Sequence, residues 1–225
     1  IRTMENLLTI KIKELIRGKK VLLRDVDINV KKGERILIVG PTGSGKSSLL
    51  NTLNLMNLGY EGQIIFEDKD VREYPPEVLR SRICIVLQEP YLEPGTVREA
   101  LDIPLQYHAL KHREIKDREN NLKWLFKSFQ LPESYLEQNT EKLSGGEKQR
   151  IALIRVLQFS PEILLLDEIS SALDQKTSGI ISDCIFENYP GTVIAISHDP
   201  LWQDRWQRAW RLEGGRLTDN HEGRR

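Results

Sequence analysis

Arg35-Ile36-Leu37-Ile38-Val39 running into Gly40-Pro41-Thr42-Gly43-Ser44-Gly45-Lys46-Ser47 is the stretch that decides the fold. The unbroken apolar run reads as a parallel strand buried on both faces. The glycines let the following backbone bend tightly and turn its amide hydrogens inward, at the positive end of the helix predicted for Ser48-Leu49-Leu50-Asn51-Thr52-Leu53. A phosphate chain fits such a donor array. Lys46 then reaches the β- and γ-phosphates as a point charge, and the Ser47 hydroxyl ligates the magnesium that bridges them. Residues 40–48 are therefore expected to grip a nucleoside triphosphate.

Further strands follow from pattern. Ile36–Val39, Ile83–Leu87, Ile163–Leu166 and Val193–Ile196 are continuous apolar runs separated by helical spacing, which predicts a parallel α/β core. Leu8–Ile12 and Val26–Val30 alternate apolar and polar residues, so they predict half-solvated antiparallel strands, with Gln63–Phe66 joining them in a small flanking sheet. Between Gln88 and Leu143 the chain is polar and helix-favouring, broken by Pro90, Pro94, Pro104 and Pro132, and reads as a helical insertion. The charged stretch Lys111–Asn121 reads as a solvated helix face.

Composition narrows the function. At 225 residues the chain suits one sizeable domain that buries roughly 70% of its unfolded surface. Lysine plus arginine and aspartate plus glutamate number 33 each, so no global positive field recruits nucleic acid or anionic lipid. No run reaches the roughly 18–20 apolar residues of a membrane span, and no signal core opens the chain, so no direct lipid insertion is expected. Met4 reads as a plausible natural start. Cys84 and Cys184 read as reduced, buried thiols of a cytosolic protein.

Two other motifs carry chemistry. Ile163-Leu164-Leu165-Leu166-Asp167-Glu168 delivers two carboxylates to the C-terminal end of a strand, where open α/β sheets bind ligands. Asp167 is expected to hold magnesium, and Glu168 to polarise the water that attacks the γ-phosphate. Leu143-Ser144-Gly145-Gly146-Glu147-Lys148-Gln149-Arg150 opens another helix with a serine and two glycines, a second anion-ready terminus in a chain with one phosphate loop.

Together with Gln88, Ser171-Ala172-Leu173-Asp174 and Ser197-His198-Asp199, these motifs occur in the order seen in ATP-binding cassette (ABC) ATPases, which the chain resembles over nearly its whole length. The resemblance implies a P-loop NTPase fold of class α/β, with a RecA-like parallel sheet core, helices on both faces, a flanking antiparallel β subdomain and a helical subdomain. One cassette would fill residues 1–225, with the core in 5–87 and 151–225 and the helical subdomain in 88–150. It also implies a homodimer in which each ATP lies between one chain's phosphate loop and the other chain's Ser144, Gly145, Gly146 and Glu147. By the same resemblance Gln88 touches magnesium and the attacking water and relays to a partner, Asp174 crosses the dimer interface, and His198 contacts the γ-phosphate. The position where such ATPases stack adenine on an aromatic ring is held by Ile16, so looser ATP binding is expected, with Arg17 helping by stacking.

Within that family, residues 143–174 resemble the FetA type of iron-export ATPase, which implies a separate integral membrane permease of FetB type. The cassette would then be cytoplasmic, peripheral on the inner face of the cell membrane. Two rival readings are a soluble ABC ATPase acting on DNA or ribosomes and a nucleotide-sensing module that does not hydrolyse. The balanced charge and the absence of long heptad segments or a second cassette disfavour the first. His108 and His112 have helical metal-ligand spacing but read as solvated surface histidines. Trp202 and Trp206 share that spacing and read as packing residues.

Overall fold

A computed structural model describes residues 6–107, 110, 117–170, 173–203 and 205–220. Residues 1–5, His108, 111–116, Ser171 and Ala172 lie outside them, so the expectations placed on Met4, on the two histidines and on most of the charged stretch fall outside the described structure.

Strands β1 (Asn6–Arg17) and β2 (Lys20–Lys31) form a hairpin around Gly18-Lys19. Alternation along β1 buries Leu8, Ile10 and Ile12 while Lys11 and Lys13 face water. Ile10 sits opposite Ile28 of β2 and Ile64 of β4 (Tyr60–Phe66). With β5 (Lys69–Asp70) they make a four-stranded antiparallel sheet of order β2-β1-β4-β5. The hairpin is longer than its alternating segments predict, because an irregularity between Ile12 and Glu14 switches the buried face and lets pairing continue to Leu15 and Leu23, both fully buried.

The second sheet has the order β10-β9-β3-β8-β7-β6. Its parallel members are β3 (Arg35–Val39), β6 (Ile83–Val86), β7 (Ile163–Asp167), β8 (Thr192–Ile196) and β9 (Arg208–Glu213), and β10 (Arg216–Asn220) folds back antiparallel on β9. The last two strands were not foreseen, although Ala209-Trp210-Arg211-Leu212 alternates and Gly214-Gly215 supplies the turn. Leu87, expected to end β6, lies beyond the strand and is exposed.

The core is two apolar layers, one on each face of this sheet. Ile163, Leu165, Ile194 and Ile196 point to the antiparallel sheet, to α1 (Lys46–Leu53) and to Leu79 of α2 (Pro76–Arg82). Leu164, Leu166, Val193 and Ala195 point the other way, into the layer built by α3 (Val97–Asp102), α4 (Arg118–Ser128), α5 (Gly145–Leu157) and α6 (Gln175–Asp183). Each leucine or isoleucine buried so completely contributes about 1.5–3 kcal/mol, which is why these strands read as unbroken apolar runs.

The cysteines divide. Cys184 is buried and its thiol is pushed up to about 12 by burial. Cys84 corrects the expectation: β6 is the edge of its sheet, so Cys84 is only partly covered, borders a groove, and donates to the Arg80 carbonyl at 3.1 Å. Trp202 of α7 (Pro200–Gln203) and Trp206 are buried and stacked with centroids 6.3 Å apart, with Phe186 edge-on to both at 6.0 and 4.9 Å. Among the described residues, no helix is long and apolar enough to cross a membrane.

Candidate functional site

Four neighbouring parallel strands end at one edge of the sheet, and each hands the chain to a motif residue. After β3 comes the phosphate loop, after β6 Gln88, at the end of β7 Asp167 and Glu168, and after β8 His198. Parallel order places these distant segments together, because every strand presents the same end to the same side.

The loop closes on itself. Gly45 caps α1, with the Leu49 amide donating to its carbonyl at 2.8 Å. Gly40 has φ 149°, and a Cβ there would stand 2.2 Å from the Leu212 carbonyl of β9, so only glycine fits between the loop and that strand. Lys46 is almost wholly buried, and its ammonium donates to the carbonyls of Gly40 at 2.8 Å and Pro41 at 3.1 Å. The ammonium is thus folded back inside the loop and held there by its carbonyls. Ser44 Oγ is buried without a hydrogen-bond partner in the same loop, one more polar group facing inward.

Across the sheet edge, the Ser47 hydroxyl donates to Asp167 Oδ1 at 3.0 Å. Burial pushes the Asp167 carboxyl up from its ordinary range, the Ser47 hydrogen bond opposes this, and the Glu168 charge adds to it. The nearby Lys46 charge also opposes the rise, but burial outweighs it, so an ionised carboxylate held there is only partly compensated. Hard oxygen donors with that deficit fit Mg²⁺, which takes one or two protein oxygens and completes its shell from phosphate and water. Among the described residues no group of three or more His, Cys, Asp or Glu side chains forms a metal cage.

Glu168 has φ 49°, a left-handed conformation that costs a non-glycine residue on the order of 1–3 kcal/mol and recurs at functional sites. Its amide donates to the Ile196 carbonyl at 3.0 Å, which fixes the bend. His198 Nε2 then lies 3.7 Å from Glu168 Oε1, with the imidazole largely exposed. Gln88 is exposed just past β6. The carbonyl of Leu87 before it accepts from Gln149 Nε2 at 3.3 Å, a tie to α5 that sequence reasoning missed because nothing local marks it.

Ser144 caps α5 in a capping box: its Oγ accepts from the Glu147 amide at 3.3 Å, and Glu147 Oε2 accepts from the Ser144 amide at 2.8 Å. Tyr135 donates to Glu147 Oε1 at 2.7 Å, and that bond with the Ser144 amide holds the Glu147 carboxyl below its usual range. A Cβ on Gly145 would meet open space, whereas one on Gly146 would touch Thr177 and Leu173 at van der Waals distance. Asp174 caps α6, accepting from the amide and hydroxyl of Thr177 at 2.9 and 2.8 Å.

The depression around the phosphate loop is lined by residues 42–43 and 45–48, by Glu168, and by Arg17 and Leu22 of the hairpin. Ser144–Glu147 do not line it. Ile16 is half-buried and paired with Val21, and its neighbour Arg17 borders the loop. Leu22 was missed because its position depends on how the hairpin lies against the loop.

A family model described as ABC transporter matches residues 23–171. The chain is 38% identical over 187 residues to the Probable iron export ATP-binding protein FetA of Escherichia coli (strain K12), covering 83% of this chain and 79% of that protein. It is 34% identical over 211 residues to the Sophorolipid transporter of Starmerella bombicola, covering 90% of this chain but 16% of that protein. The solved structure of the ATP-binding cassette MJ0796, a dimer in a post-hydrolysis state bound to ADP and Pi, matches with TM-score 0.80 at 27% identity, covering 97% of this chain and 100% of that one.

Proposed function

The chain belongs to the ABC transporter family as an ATP-binding, ATP-hydrolysing cassette, and on that premise we propose that it is the motor subunit of a transporter exporting iron or a related cargo through a separate FetB-like permease. The observation that carries the two-chain part of this reading is the distance in function between two anion-ready helix starts. Lys46 and its loop form one wall of a phosphate site, while Ser144, Gly145 and Gly146 open α5 elsewhere and line no part of that depression. Two copies placed head to tail give each triphosphate both walls, in keeping with the dimeric state of the MJ0796 cassette.

In this arrangement residues 40–48 bind the phosphate chain through backbone amides, with Lys46 swinging from the Gly40 and Pro41 carbonyls onto it. Ser47, Asp167 and Gln88 would hold Mg²⁺, which supplies charge neutralisation at the phosphate oxygens. Glu168 accepts a proton from the attacking water, and His198, within reach of Glu168, orients the γ-phosphate. Ser144, Gly145, Gly146 and Glu147 of the second copy close over the γ-phosphate, and Asp174 lies at the seam. Arg17, which borders the loop, would help Ile16 hold the base by stacking on it. Positioning and electrostatics lower the barrier.

A groove of about 750 Å³ supports the permease. Met56, Pro75, Cys84, Tyr107 and Phe159 line it, and Met56 and Tyr107 are 52% and 56% exposed. It borders β6, the strand that leads to Gln88, so a membrane subunit seated there would feel movement of that segment. Such docking places the cassette on the inner face of the membrane, and the balanced charge argues against a nucleic-acid partner.

The test is Glu168→Gln in the purified chain. Turnover is expected to fall by about a thousandfold while ATP binding persists, and the variant is expected to elute as a dimer with ATP. Rapid turnover, or a monomer at saturating ATP, would refute the assignment. Co-purification of a permease from membranes, and iron retention in a deletion strain, test the cargo.

A further inference from the structure

The His198 side chain is largely exposed, with Glu168 Oε1 3.7 Å away, so little packing of its own holds it in place. The next residue does. Asp199 Oδ1 accepts from the Leu201 amide at 2.9 Å, and the Asp199 amide donates to Ser197 Oγ at 3.1 Å. Asp199 Oδ2 accepts from the hydroxyl of Ser178, and Ser178 Oγ in turn accepts from Trp202 Nε1 at 2.9 Å. Ser178 is buried on α6, four residues after Asp174, and Trp202 is fully buried against Phe186 and Trp206. Ser197 Oγ also lies 3.2 Å from Ser170 Oγ, on the segment that leaves Glu168.

We propose that the hydrogen-bonded chain Trp202–Ser178–Asp199 sets the position of His198 during ATP hydrolysis, with Ser178 as a positioning residue that ties the His198 segment to the helix capped by Asp174. This rests on the assignment of His198 to the γ-phosphate. The Ser178 hydroxyl uses its single hydrogen toward Asp199 and a lone pair toward Trp202, so both partners depend on it. Its loss leaves a buried indole donor unsatisfied and one Asp199 oxygen without its Ser178 partner, and the segment is then free to drift. The aromatic cluster is the rigid end of the chain, since two stacked tryptophans and an edge-on phenylalanine have no room to follow. Because α6 begins at Asp174, the same bonds would make the placement of His198 sensitive to what Asp174 meets at the seam between two copies.

Ser178→Ala, His198→Ala and the double variant separate the possibilities through kcat and KM for ATP, with thermal melting recorded for each. Ser178→Ala is expected to lower kcat about tenfold with KM changed by less than about twofold. In the His198→Ala background the same change is expected to alter kcat by less than about twofold, since a positioning residue has nothing left to position. An equal loss in both backgrounds would mean that the hydroxyl stabilises the cassette and does not act through His198. A full rate for Ser178→Ala beside an impaired His198→Ala would overturn the chain alone, whereas a full rate for His198→Ala would remove the role of His198 itself. Should Ser178→Ala not fold, Asp199→Ala removes the acceptor at the other end of the same link and is read against the same two backgrounds.

Discussion

Gly40→Ala tests whether the phosphate loop is shaped by its contact with β9. The added methyl would lie 2.2 Å from the Leu212 carbonyl oxygen and 3.1 Å from Ser44 Oγ. Backbone cannot yield as a flexible side chain does, so the loop must withdraw by about 1 Å to restore van der Waals distance. Overpacking of this kind costs about 1–3 kcal/mol of stability. The larger effect is on function, because a displacement of about 1 Å in groups that position a reacting phosphate costs on the order of a hundredfold in kcat/KM. Initial rates of ATP hydrolysis give kcat/KM, and denaturant unfolding gives the stability. Gly33→Ala is the control: φ is positive there as well, at 82°, but the nearest atom to a Cβ is the Pro190 carbonyl oxygen at 3.9 Å. It is expected to lose about 1–2 kcal/mol of stability with kcat/KM unchanged. If Gly40→Ala hydrolyses ATP with a kcat/KM within about threefold of the parent, the reasoning fails.

Two further changes probe stability. Arg208 is almost fully buried and donates to Asp219 Oδ1 at 2.8 Å, the Asn29 carbonyl at 2.8 Å and Glu34 Oε2 at 2.7 Å, joining β9, β10 and β2. Arg208→Ala removes a buried guanidinium that ties two partly solvated carboxylates and a carbonyl together and is expected to cost about 3 kcal/mol in urea unfolding; a loss below about 1 kcal/mol would show that water replaces the guanidinium. Asp167→Asn should abolish turnover yet raise the melting temperature of the nucleotide-free protein at neutral pH. The sign follows from burial: the folded-state pKa of Asp167 is raised, so ionisation above the usual carboxylate range near about 4 weighs on the native state. The gain should therefore be present at pH 7 and fade as pH falls through that range, and a lower melting temperature at pH 7 in EDTA would contradict it.

Sequence by itself determined the phosphate loop, the acidic strand end and the parallel core, because each is written within a few consecutive residues. Tight turns need glycine at fixed offsets, and strands buried on both faces need unbroken apolar runs. The antiparallel sheet was legible for the same reason, through alternation in residues 8–12 and 26–30. Relations between segments far apart in the chain were left to the tertiary structure. That Arg17 and Leu22 border the loop depends on the register of a hairpin, where one residue of offset reverses the face. That β6 is an edge strand, leaving Cys84 at a groove, depends on strand order, which no local pattern encodes. The ties from Gln149 to Leu87 and from Ser178 to Asp199 cross 62 and 21 positions of sequence, and a glutamine or serine carries no local mark of the partner it will meet.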